Sequence, residues 1–569
     1  MAERIATFYT RAIEGNERRV VALVLGAYLV ALGWQAWRVG LTYDEPTHML
    51  GSYLYWLDRP DLYPRDFPPL IKIATGWVPR ALHIPLYPEL PQWKRAWKQD
   101  VAAAILDHLE PEQIQQLFYL MRLAAAIFPM LTALLLWHWG RLLWGPRVAL
   151  LLLLAWVLLP TPLAHGCLLK NDLATTFTYL LFAFCGWRFW LAPSRRNSAL
   201  LGMSVLLALL AKLSLLIAVP LGVLLVAARA VWPPRPAGRR LAFALASVLL
   251  IPYIGLLASY RFEARRLTEQ DLRTMLYKEG FSRWDVAAAH VFRLVPTPED
   301  LQTGVRSLNT YQKYGAPIYL LGRARTSGSL AYFPVALAIK TPIALQILFF
   351  AGLILVAQRI ASRRAAAADW FLLAPGLLYV SLAAQSNLQL GVRLVLPGIP
   401  FFLLLGGFAI ERALAGRAGQ AALAAVFVWL AAASISIYPQ GIAYFNEWVG
   451  GPQQGWKYLS DSNVDWGQNL PELAAYIRRN HVQHLKLYYW GYGQFRRYGI
   501  QDIVQVQPPP WPQFHLPNRL VPQQGLYAVS VMYLHGQFFD AAHRDYFHCF
   551  QVRMPEARAG YSIFIYKVD

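Results

Sequence analysis

Residues 20–37 read VVALVLGAYLVALGWQAW, and three residues further on LTYDEPTH begins at 41–48. The first stretch is an unbroken apolar run close to the roughly 20 residues that cross a bilayer. Arg4, Arg11, Arg18 and Arg19 precede it, which predicts a cytoplasmic N-terminus by the positive-inside tendency. No small-residue cleavage pattern is clear, so the run reads as a retained anchor. The second stretch sets Asp44 and Glu45 side by side where the chain leaves the membrane. Carboxylates at that boundary are costly unless they meet water, a cation or a partner, so each is a functional-site candidate.

Working outward, the same alternation of apolar runs and arginine loops continues. The chain has 569 residues, 56% of them hydrophobic and only 15% charged, where soluble domains carry about a quarter. The fold class expected is therefore a polytopic α-helical membrane protein. Its net charge of +21 comes largely from arginines in short loops, as expected of a cytoplasmic face. No basic module lies in a soluble context, which argues against nucleic acid as a partner. Cys167, Cys185 and Cys549 form no Cys-x-x-Cys pair, which argues against a disulfide framework or thiolate zinc site.

Further spans are predicted at 118–139, 148–163 and 173–190. Residues 198–230 are apolar with Lys212 in the middle. A lysine at mid-bilayer costs about 2.5–3.5 kcal/mol on insertion scales, so the stretch reads as a hairpin of two spans turning at Lys212. Spans at 241–259, 333–356, 370–384, 392–410 and 421–438 bring the total to about eleven. Long outer loops are expected near 40–117 and 260–333. The first is rich in Trp, Tyr and Pro, including Tyr63, and suits interfacial helices. Residues 1–438 would form the membrane domain and 439–569 a small extracytoplasmic α/β domain. Alternating runs at 484–490, 525–532 and 562–568 read as strands. A helix is expected after Asn469, acting as its cap, and the Pro-rich 508–512 is read as a loop.

Several residues have the character of a site. Thr42-x-x-Glu45 matches a capping box with Pro46 in the first turn, which explains Glu45 and leaves Asp44 unassigned. Asp44 and His48 share a helical face at i, i+4. They would serve as base and orienter, as cation ligands, or as a local hydrogen bond. Asp172 follows Lys170 and Asn171 where another run breaks, either capping the next span or facing an anion at its N-terminus. Lys340, Arg393 and Lys212 are expected on the same outer side. Lys340 lies about two turns into an apolar span and either snorkels outward or meets a phosphate. An arginine at an outer boundary is suited to gripping phosphate. Three cations and two acid sites on one face suggest a pocket for an anionic, lipid-linked substrate. The polar segment DSNVDWGQ at 461–468 reads as a sugar or calcium site, or as an Asx-rich turn.

Taken in order, these motifs resemble bacterial polyprenyl-phosphate-dependent glycosyltransferases of the GT-C superfold, the protein O-mannosyltransferase and aminoarabinose-transferase group. The matching pieces are Asp44-Glu45, FPPL at 67–70, Asn171-Asp172, KLS at 212–214, YLLG at 319–322, AYFPVALAIKTP at 331–342 and LGVRLVLPGIPF at 390–401. YFNEWVGG at 444–451 and DSNVDWGQ complete the set. One departure is Phe67, where relatives often carry His or Asn. The resemblance implies an inverting transfer from a polyprenyl-phosphate sugar donor to a protein, lipid or glycan acceptor, outside the bacterial inner membrane. It implies Asp44 as the acid that deprotonates or orients the acceptor, with Glu45 and Asp172 in support. His48, Lys170, Lys212, Lys340 and Arg393 would contact substrate. Metal dependence varies in such enzymes. A divalent cation could sit at Asp44, Asp172 and His48, but no spacing demands one. Two other classes stay open: a transporter whose intramembrane charges line a pathway, and a non-catalytic glycan-binding or assembly protein.

Overall fold

Proline and charge decide where the helices of this chain break. The computed structural model describes residues 2–59, 62, 68–94, 97–270, 283–500, 504–506 and 519–569. Tyr63, Phe67 and the Pro-rich stretch 508–512 lie outside the described residues. Among the described residues, eight helices are long and apolar enough to cross a membrane, and a ninth span is formed if one bent pair is counted. That pair, Pro146–Val157 and Pro160–Gly166, bends by 63° at Pro160. Two further helices, Asp172–Leu191 and Arg195–Ala211, pack against the long ones. The expected total of about eleven included both. The chain is thus a mostly helical, multi-pass membrane protein.

The run at 198–230 breaks at Lys212, whose backbone is extended between Arg195–Ala211 and the turn Leu213–Ile217. The run expected as one span at 333–356 is instead two helices, Tyr332–Lys340 and Ile343–Ala361. Pro342 has no N–H for the ladder and disfavours the α region in Thr341, which is extended. Lys340 therefore ends a short helix rather than standing inside a long one. Ile343–Ala361 packs closely on Ile399–Leu414, because a Cβ on Gly352 would strike the Leu405 carbonyl. Small residues permit such close approach between membrane helices.

Residues 485–568 carry a five-stranded sheet in the order Val504–Val506, Leu485–Tyr488, Gly525–Ser530, Ile563–Val568, Ala557–Ala559. The first three are parallel, and the last two join antiparallel. Helix Leu470–Arg479 follows Asn469, whose side chain does not cap it. That amide donates instead to Gln440 and Glu472. The sheet packs on the helices through one apolar cluster, in which Phe333 and Val395 meet Val529 and Phe564.

The loop after the first helix is fixed by a buried ion pair. Arg122 donates to Glu45 twice, Nε to Oε1 at 2.7 Å and Nη2 to Oε2 at 2.6 Å, with both side chains fully buried. The remaining guanidinium hydrogens reach the carbonyls of Ala36, Val39 and Gly40. Glu45 also accepts from the Leu169 N–H and from the Thr42 N–H and hydroxyl. A buried pair survives desolvation only when its hydrogen bonds are this complete. It pins the Glu45–Leu57 helix against the bundle and to the turn before Asp172.

Removing one partner strands the other as a buried charge. Arg122→Met is expected to cost about 3–5 kcal/mol, seen as a fall in melting temperature in detergent. Arg122→Met/Glu45→Leu should recover much of that loss. A single variant melting with wild type would contradict this assignment.

Candidate active site

Four helix ends meet around one guanidinium. Asp44 directly precedes the Glu45–Leu57 helix and makes no side-chain capping bond, so its carboxylate is available. Lys170, in the turn before Asp172, donates to Asp44 Oδ2 at 2.7 Å and lies 3.0 Å from His48 Nε2. Asp172 opens the Asp172–Leu191 helix and is buried. Its Oδ1 accepts from Lys212 Nζ at 3.1 Å.

Arg393 joins the two acids. It sits in the turn Val392–Gly398 at the start of a long helix, preceded by Gly391 at φ +107°. One guanidinium nitrogen is 3.6 Å from Asp172 and the other 3.9 Å from Asp44. Nε donates to Ser462 Oγ at 2.9 Å, and the Trp466 ring centroid is 4.4 Å from the guanidinium carbon. Cation–π contact and two carboxylates together offset the cost of burying the charge.

Asp44, His48, Lys170, Asp172, Lys212 and Arg393 are thus brought together. Glu45 is not available beside them, because both oxygens are spent on Arg122, Thr42 and Leu169. Its bonds to Arg122 tie the Glu45–Leu57 helix to the Pro111–Ala125 helix. Lys340 also departs from expectation. Its ammonium is buried, donates to the Ile442 and Asn463 carbonyls at 2.7 and 2.6 Å, and lies over the Phe445 ring. It clamps the 461–463 turn through the Asn463 carbonyl.

Ser462 and Trp466 were not expected as parts of this centre, although their motif stood out. Arg122 was missed too, yet an arginine inside an apolar run is itself the signal. Among the described residues, no group of three or more His, Cys, Asp or Glu is arranged to hold a metal. Both acids are instead faced by Lys170, Lys212 and Arg393.

Burial pushes the Asp44 carboxyl up, but Lys170 and Arg393 outweigh it and hold it below the usual carboxylate range. Burial, reinforced by Lys170, keeps His48 well below its ordinary value, so it is neutral near pH 7. Next to the cluster is an apolar cavity of about 410 Å³, lined by Lys212 and Asn171 together with Tyr379, Leu382 and Leu394.

No family model matches the chain, and no curated protein matches it. Among solved structures it is similar to apo ArnT from Cupriavidus metallidurans, at 14% identity and TM-score 0.46, covering 97% of this chain and 98% of that one. ArnT from the same organism bound to undecaprenyl phosphate is similar at 14% identity and TM-score 0.43, over 96% and 97% of the two chains. The archaeal oligosaccharyltransferase AglB from Archaeoglobus fulgidus, in complex with an inhibitory peptide and a dolichol-phosphate, is similar at 12% identity and TM-score 0.40. There the match covers 87% of this chain and 65% of that one.

A carboxylate with a depressed folded pKa contributes stability above its unfolded pKa and loses it as pH falls through the folded value. Lys170→Met should raise the pKa of Asp44, moving the acid-side loss of thermal stability to higher pH. An unmoved acid limb in a folded variant would contradict the pairing.

Proposed function

We propose that this chain is a membrane glycosyltransferase of the GT-C type, transferring a sugar from a polyprenyl-phosphate donor to an acceptor with inversion. The observation that carries the reading is the junction of the 410 Å³ apolar cavity with the acid–cation cluster at Lys212. A long hydrocarbon chain needs such a cavity, and its phosphate needs fixed cations beside it. The charges meet at helix ends, which favours a boundary site over a transporter's pathway through the spans.

In this reading the acceptor oxygen attacks the anomeric carbon from the face opposite the phosphate. The bond from that carbon to the phosphate oxygen breaks, and its electron pair stays on the phosphate. Arg393 and Lys212 stabilise that developing charge, which preorganised cations do best where water is excluded. Asp44 deprotonates or orients the acceptor hydroxyl, a poor nucleophile that needs a positioned base. Asp172 holds Lys212 and Arg393 in place. Lys170 and His48 line the acceptor side. In the full proposal the chain crosses the inner membrane eleven times from a cytoplasmic N-terminus. Residues 439–569 form an extracytoplasmic domain, and the cluster faces the same side. The sugar and the acceptor, whether protein, lipid or glycan, are left to experiment.

The test uses membranes containing the full-length protein and a panel of labelled polyprenyl-phosphate sugars. Wild type should transfer label from one donor, and a folded Asp44→Asn variant should lose about 10²–10⁴-fold. No transfer by wild type from any donor would overturn the proposal.

A further inference from the structure

Arg122 and Arg393 are both buried, but they are held in opposite ways. Every nitrogen of Arg122 is spent, on Glu45 and on the carbonyls of Ala36, Val39 and Gly40. Arg393 donates through Nε to Ser462 Oγ at 2.9 Å. Its terminal nitrogens stand 3.6 Å from Asp172 and 3.9 Å from Asp44, beyond the roughly 2.7–3.2 Å of an N–H···O bond. The guanidinium instead lies over the indole of Trp466, its carbon 4.4 Å from the ring centroid. A buried arginine is therefore seated beside two acids mainly by neutral groups.

Trp466 is itself buried, and its backbone is fastened on both sides. Its N–H donates to Gln468 Oε1 at 2.7 Å. Its carbonyl accepts the N–H of Tyr43, the residue before Asp44, at 2.8 Å. Gly467 follows at φ +85°, with its N–H on Asp465 Oδ1 at 3.1 Å. Lys170, the partner of Asp44, also lies over the indole, with Nζ 5.4 Å from the centroid. Both cations fall within the roughly 6 Å of a cation–π contact. One side chain thus touches the two cations that face Asp44, and its backbone is bonded to the segment that carries that acid.

We propose that Trp466 is a positioning residue whose neutral ring face seats Arg393 without cancelling its charge, an inference that rests on the glycosyl-transfer reading. A carboxylate at hydrogen-bond distance would hold the guanidinium as firmly, but it would spend the charge, as Glu45 does for Arg122. A ring face attracts a cation through its quadrupole and carries no net charge. Leu394, the next residue after Arg393, lines the apolar cavity together with Lys212. A donor phosphate arriving along that cavity then meets a guanidinium whose terminal donors are uncommitted. With the seat weakened, Arg393 closes the gaps to Asp172 and Asp44, and the phosphate must compete with two carboxylates for it.

The test places mono-, di- and trifluorinated tryptophan at position 466 of the full-length protein by nonsense suppression. Fluorine withdraws charge from the ring face and leaves its shape nearly unchanged, so packing is kept while the cation–π attraction falls. The probes are undecaprenyl phosphate and undecaprenol, which share a tail and differ in the phosphate. Wild type should bind the phosphate more tightly than the alcohol. Along the series the phosphate affinity should fall stepwise, reaching about tenfold with the trifluorinated ring, while the alcohol affinity and the melting temperature hold. A phosphate affinity constant within about twofold along the series would overturn the proposal. A melting temperature that falls with fluorination, or an equal loss for both lipids, would assign Trp466 to packing alone and overturn it as well. If wild type prefers the phosphate and the series fails, only the role of Trp466 falls. If wild type binds the two lipids alike, the glycosyl-transfer reading falls and takes this inference with it.

Discussion

The guanidinium of Arg393 holds together segments that lie far apart in the chain. It reaches Asp44 after the first span, Asp172 at the head of another helix, and Ser462 and Trp466 ahead of the sheet. Burying an arginine costs several kcal/mol of hydration even after relaxation, so this position is stable only while its partners stay in place. The dependence runs both ways, because each acid also loses its counter-charge if Arg393 moves. Lys170, Lys212 and Arg393 face Asp44 and Asp172. The proposed lipid phosphate would set its headgroup against Arg393 and Lys212 and its tail in the apolar cavity beside Lys212.

A second buried pair does the structural work that frees Asp44. Glu45 and Arg122 neutralise each other and satisfy the backbone around them. The adjacent Asp44 is thereby positioned without being used as a cap. Two neighbouring acids thus have opposite fates, one fully buried and one with 30% of its side chain exposed. Lys340 plays a comparable part for the far wall, since its bond to the Asn463 carbonyl fastens the turn that carries Asp461 and Ser462.

Much of this was legible in the residues themselves. An acid beside an apolar run is rare enough to be read singly, which is why Asp44 and Asp172 could be picked out. Lys212 marked a helix break because a lysine opposes burial at mid-span. The strands near 485, 525 and 563 followed from alternation. What could not be read was the direction of each side chain. Glu45 and Arg122 are 77 positions apart, and nothing local announces their pairing. Thr341-Pro342 offered a local cue that was passed over. Had the break been placed there, Lys340 would have been expected at a helix end, near the carbonyls it now binds.

The central claim is that the Arg393 cluster and the neighbouring cavity form one site for a lipid phosphate. The most direct measurement is an electron cryomicroscopy structure of the full-length protein saturated with a polyprenyl phosphate. The account predicts phosphate density against Arg393 and Lys212, with the chain entering the cavity past Tyr379 and Leu394. Phosphate bound elsewhere, with the cavity empty and the Lys212–Asp172 and Arg393–Asp172 contacts undisturbed, would contradict it.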